Sequence, residues 1–409
     1  MLKKIAVIWV AVVMLLVGAA SMASAAQNVG NTSQKGSLLI FPKIEVLRDE
    51  SDFVYRDTII QIGNDFPRGV QLKCFWVDKW QATHDFSLNI TLNQPIWFKA
   101  SDGIGSVADL GVAGIGDGNA TGELKCWAVN FSENNQVVWN HLNGSAIIFD
   151  TRDQTAYEYS AYAFTARTTV PNPEFANFPP PGILNLTGLN NAYDACPAYL
   201  LFNFFASNDD PTKAIPVDQG LETIRFGKSD LTLVPCKQDL RQDRLPTCTK
   251  AKFDIWNENE RKLTGAYQCI KCWFEGTLDE IGYLKLPYSS NKVSGFGGDF
   301  FTRSGLHSDL GRVRITGIKS TPVCKGVFVA TDPVTGKLGD VCVGPNGEDL
   351  QVNTPLLGVL STEISLNETP WKTFGITATT AGAYVPAAGE NVQIQYDIAP
   401  TDTPQSPGR

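Results

Sequence analysis

Period-two alternation governs this sequence. Leu38 and Ile40, and the stretches 58–62, 70–77, 124–129, 146–149 and 157–164, alternate or run as short β-branched and aromatic segments between clusters of Gly, Asn, Asp and Pro. Helical periodicity is nearly absent. Short segments at roughly ten-residue spacing with turn residues between them predict an all-β chain of packed antiparallel sheets, and exclude alternating strand and helix. With 43% hydrophobic and 19% charged residues among 409, the chain can build sizeable cores and carries too little charge for a disordered polymer or a coiled coil.

Residues 1–25 read as a cleaved signal peptide: a Lys3-Lys4 pair, an apolar run over 5–20, then Ala23-Ser24-Ala25 as the small-x-small cleavage site. The rival reading is a membrane anchor, but the run is shorter than the ~20 residues a span requires. No later stretch is apolar enough to span, so no membrane insertion is expected after cleavage. Export predicts an extracytoplasmic protein, secreted, on the cell surface or periplasmic. The formal net charge of −8 becomes more negative once Lys3 and Lys4 leave, which argues against nucleic acid and anionic membranes as partners.

In an oxidising compartment the nine cysteines form a disulfide framework with one left over. Most of the connectivity is open, but two pairs have local arguments. Cys74 and Cys126 sit in near-identical contexts, Leu72-Lys73-Cys74-Phe75 and Leu124-Lys125-Cys126-Trp127, each at the inward position of an expected strand. Cys324 and Cys342 flank Val327-Phe328-Val329 and the turn-like 332–337, so a hairpin would bring them face to face.

An offset of 193 residues superimposes Leu38-Leu39-Ile40-Phe41-Pro42 on Leu231-Thr232-Leu233-Val234-Pro235, and Ile62-Gly63-Asn64 on Ile255-Trp256-Asn257. Further on, Lys73-Cys74-Phe75-Trp76 meets Lys271-Cys272-Trp273-Phe274. The order of landmarks predicts a duplication, against the alternative of two unrelated sandwiches with one strand pattern. The expected organisation is a first β-sandwich over 26–228, with a Pro-rich connection at 171–182, a second over 229–398, and a disordered tail at 399–409.

These landmarks also resemble a family of uncharacterised secreted bacterial proteins built from tandem, Ig-like β-sandwich domains. In that family an opening strand like Gly36-Ser37-Leu38-Leu39-Ile40-Phe41-Pro42-Lys43 is followed by a Cys-Pro strand like Cys196-Pro197-Ala198-Tyr199-Leu200-Leu201. Later come elements like Leu233-Val234-Pro235-Cys236 and Leu356-Leu357-Gly358-Val359. The resemblance implies architecture and localisation and supplies no chemistry.

No catalytic residue, cofactor site or metal ligand emerges. Cys269-Ile270-Lys271-Cys272 lacks the helix N-terminus that a redox dithiol needs, and Trp273 stands where a haem-binding motif has His. The glycines at Gly103 and Gly105 resemble a dinucleotide fingerprint without the βαβ unit that gives it meaning. Three histidines, His84, His141 and His307, fall in no hydrolase signature. Aromatic residues remain: Trp76, Trp80 and Trp97 form a possible binding surface, and strand parity sends one member of each pair Phe75-Trp76 and Trp97-Phe98 outward. The expectation is a non-enzymatic protein with a structural, adhesive or partner-binding role, its partner a protein or a glycan. The alternatives are a carbohydrate-binding protein using exposed Trp residues and a hydrolase of unfamiliar motif.

Overall fold

The computed structural model describes residues 29–79, 83–103, 120–131, 135–171, 173, 174, 176, 185–205, 224–236, 248–257, 262–271, 273–277, 310–318, 329–331, 338–340, 355–366 and 373–380. The expected leader, the tail, most of the Pro-rich connection, Trp80, Cys324 and Cys342 lie outside them. Among the described residues every regular element is a strand, and every strand pairing is antiparallel.

The first nine strands are β1 (Leu38–Arg48), β2 (Val54–Asn64), β3 (Val70–Asp78), β4 (Thr83–Ile90), β5 (Pro95–Lys99), β6 (Ala120–Val129), β7 (Leu142–Asp150), β8 (Thr155–Ser160) and β9 (Tyr162–Phe164). They form two layers, β4-β3-β6-β1-β9 and β5-β2-β7-β8, joined where strands change layer. β1 pairs β6 and β9 along its first part and reaches β2 through Leu47 and Arg48. The chain makes the same change at Ala161, since β8 pairs β7 and β9 pairs β1. Between the layers lie Leu39, Phe41, Leu72, Trp76, Leu124 and Cys126 from one side and Ile60, Ile62, Phe98, Ala146 and Ile148 from the other. Each such large aliphatic or aromatic side chain contributes about 1.5–3 kcal/mol by leaving water.

Pro42 and Lys43 together oppose Glu123 alone, because the β1–β6 register runs Phe41↔Leu124 and then Ile44↔Gly122. This is a bulge, and the proline without an N–H occupies it. It resets parity. Phe41 and Ile44 both face the core, so Lys43 and Glu45 leave it. Gly122, opposite the bulge, has to be glycine: a Cβ there would lie 2.2 Å from the Val77 carbonyl oxygen.

The remaining strands are β10 (Leu200–Phe205), β11 (Ile224–Pro235), β12 (Cys248–Asn257), β13 (Lys262–Lys271), β14 (Phe274–Thr277), β15 (Leu310–Ile318), β16 (Val329–Thr331), β17 (Leu338–Asp340), β18 (Leu356–Leu366) and β19 (Thr373–Thr380). They make sheets β10-β15-β12-β13 and β14-β11-β18-β19, with β16 and β17 paired antiparallel. Phe202, Phe204, Leu231, Leu233, Phe253 and Ile315 fill the space between the two larger sheets. The strand Leu200–Phe205, counted with the first unit from sequence, hydrogen-bonds to β15, and position 228 falls inside β11. Pairing, not chain order, allots these residues to the later sheets.

A third cluster unites the two sets of sheets. Leu38, Ile40, Trp127, Tyr162 and Phe164 pack with Val234, Cys236 and Leu357, and Tyr162 Oη donates to the Gly358 carbonyl at 2.9 Å. Strands β1, β6 and β9 are therefore buried on both faces over most of their length.

Among the described residues two disulfides are present. Cys74 and Cys126 face each other directly across β3 and β6, with Cα atoms 4.1 Å apart, as their matching contexts predict. Cys196 and Cys236, a pair left open from sequence, tie the segment before β10 to the end of β11.

Candidate functional site

Among the described residues, polar side chains gather in an open groove on the outer face of β5-β2-β7-β8 and in a buried charged cluster at the β1 bulge. In β5, Phe98 turns inward and is 2% exposed, meeting Phe86 edge-on, so parity turns Trp97 outward, where it is 66% exposed. Trp97 lies opposite Gln61, Gln61 opposite Ser145, and Ser145 opposite Ser160, so one row crosses all four strands. Asn143 and Glu158 flank the row, and the segment around Lys35 borders it. The open groove has a volume of about 660 Å³.

Strand parity thus places Trp97 as expected. Trp76 obeys the same parity with the opposite result: it is 3% exposed inside the first core and offers no stacking face. Its neighbour Phe75 takes the other side, stacked on Trp127 with ring centroids 5.2 Å apart. Trp80 lies outside the described residues. Gln61, Ser145 and Ser160 were not singled out from sequence. The only signal is their polar place in the alternation, which says nothing about which strands become neighbours.

The second cluster is closed. Lys43 ion-pairs with Glu275 of β14 and lies 3.5 Å from Glu45, while Arg56 bridges Glu45 at 3.4 Å and Asp150 at 2.9 Å. Tyr159 donates to the Lys43 carbonyl, and Trp273 Nε1 donates to the Pro42 carbonyl at 3.0 Å. Residues 273–275 thereby grip the bulge. Burial opposes the charge on Lys43, yet the facing Glu275 and Glu45 hold its ammonium well above the ordinary range. Burial and the neighbouring Glu275 push Glu45 up to about 7 against the pull of Lys43. For Glu275 burial acts upward as well, but Lys43 and the hydrogen bond with Glu45 bring it below its ordinary value. Burial acts harder on Glu45, the deeper of the two carboxyls, with 2% against 27% side-chain exposure.

This sets a pH dependence. A carboxyl whose folded-state value is raised stabilises fully below its unfolded value and loses that stabilisation as pH rises through the folded one. Between pH 5 and 8 Glu275 is ionised in both states, so Glu45 dominates this cluster. Thermal unfolding should show stability falling across that window by up to roughly 3 kcal/mol from this group. Glu45→Gln should flatten that slope; an unchanged slope would contradict the assignment.

His141 lies 3.4 Å from Asp65 and 3.7 Å from Glu174, against the rings of Phe66 and Trp139. It does not line the groove. Among the described residues no three His, Cys, Asp or Glu side chains are grouped as a metal site would require.

The chain matches no family model, and no curated protein is similar to it. Among solved structures it is similar to the crystal structure of the PBSX exported protein XepA, at 10% identity over 72% of this chain and 88% of that one, with a TM-score of 0.16. A likeness at that level carries no argument about fold or function.

Proposed function

We propose that this chain is an extracytoplasmic, non-enzymatic binding protein: two stapled β-sandwich bodies that follow a cleaved leader and hold a partner on the outer face of β5-β2-β7-β8. The observation that carries the reading is Trp97, a large apolar side chain left open to solvent at the β5 end of a row of uncharged polar groups. Trp, with its apolar rings and polar N–H, is enriched at contact surfaces. The two disulfides support export, because thiols stay reduced in most cytosols. β1 and β11, the strands that the 193-residue offset superimposes, both take inner places in their sheets, which supports duplication. The hydrolase alternative has less behind it, since neither His141 nor its carboxylates Asp65 and Glu174 line the groove.

The test is retention of purified protein on envelopes of the producing cells. Trp97→Ala should lower retention about tenfold, the equivalent of 1.4 kcal/mol, with an unchanged melting temperature because the side chain packs against little. Equal retention of variant and wild type would remove this surface from the reading.

A further inference from the structure

We infer that the groove beside Trp97 is a subsite for a neutral, linear oligosaccharide; this deepens the binding reading and rests on it. The row Trp97, Gln61, Ser145, Ser160 crosses three interstrand gaps, and at the usual strand spacing that is about 14 Å. A short run of sugar rings fits that length on a flat sheet. A pyranose presents an apolar C–H face and a rim of hydroxyls that both donate and accept. Trp97 offers the apolar platform. Amides and hydroxyls are the side chains that also do both, and Gln61, Asn143, Ser145 and Ser160 supply them. The groove's volume of about 660 Å³ lies within the span of small-ligand sites.

Charge excludes the neighbouring ligand classes. Lys35 is the one cation among the described residues lining the groove, and it is paired with Asp65. Glu158 adds a negative charge, so a phosphate or other anion would meet repulsion without compensation. A protein partner needs an apolar interface centre, and Trp97 is the sole large exposed apolar side chain on this lining. Part of the site is held in place before any ligand arrives. The Gln34 amide donates to the Ala163 carbonyl and to Asp194, and the absence of a Cβ at Gly63 leaves room for Asn143, whose Oδ1 would otherwise lie 2.6 Å from it.

The experiment uses the full exported protein on envelopes of the producing cells, untreated or oxidised with periodate, which cleaves vicinal diols. Polysaccharide freed from the same envelopes by exhaustive proteolysis serves as soluble competitor. Periodate should lower retention about tenfold, the polysaccharide should displace the protein, and Trp97→Phe, which keeps a stacking face, should hold most of the binding that Trp97→Ala loses. Retention that depends on Trp97 but is indifferent to both periodate and polysaccharide would overturn the oligosaccharide assignment while leaving the binding reading intact. No retention of the wild type would overturn both.

Discussion

Replacing Lys125 by Met should destabilise the protein by about 3–5 kcal/mol, as expected when one partner of a buried ion pair is removed. Lys125 Nζ lies 2.8 Å from Glu123, and both side chains are 0% exposed. They share a face with Trp127, two positions apart along β6. Neither makes a further hydrogen bond among the described residues, so Glu123 would be left buried without compensation. Burial, opposed by Lys125, already raises the Glu123 carboxyl. The variant's defect should therefore be smaller at pH 5, where protonation relieves it, than at pH 8. The double variant Glu123→Leu/Lys125→Met should recover the loss or exceed wild-type stability, because the pair's desolvation outweighs its attraction. Urea midpoints at the two pH values decide the matter, and a single variant within ~1 kcal/mol of wild type would show that the pair is solvated.

Removing the disulfide by Cys74→Ala/Cys126→Ala should cost about 4 kcal/mol, the loop-closure value for a link of this span, or roughly 10 °C in melting temperature. The sulfurs join residues 52 apart in sequence, and both cysteines are wholly buried in the first core. The urea dependence should steepen, because an unlinked unfolded chain exposes more surface. Equal melting of the variant and the oxidised wild type would mean that the β3–β6 ladder holds without the covalent link.

Much of the first sandwich is legible in the residues. The matched contexts of Cys74 and Cys126 announce facing strands, and the parity of Trp97-Phe98 and Phe75-Trp76 correctly divides each pair between two faces. Even the bulge leaves a trace: Leu39 and Phe41 fall out of phase with Ile44 and Val46, and the break coincides with Pro42. Parity does not tell which face is wet, however. Trp76 and Trp97 are equivalent by alternation, and only the covering layer separates them.

The same blindness conceals both charged clusters. Lys43, Glu45, Glu123 and Lys125 occupy polar positions that alternation assigns to solvent, and strands from the far end of the chain cover that side. Likewise Leu200–Phe205 reads as a strand from its own residues, while its partner lies more than a hundred positions away.

Local chemistry therefore determined the strands, the cross-strand cystine and the division of side chains between faces, because alternation and proline act within a few residues. Tertiary structure alone decided which strands are neighbours, which polar face is buried and where Gln61, Ser145 and Ser160 align with Trp97. Ladder hydrogen bonds run through backbone groups common to nearly all residues, so pairing over long range leaves no mark in the side chains that it brings together.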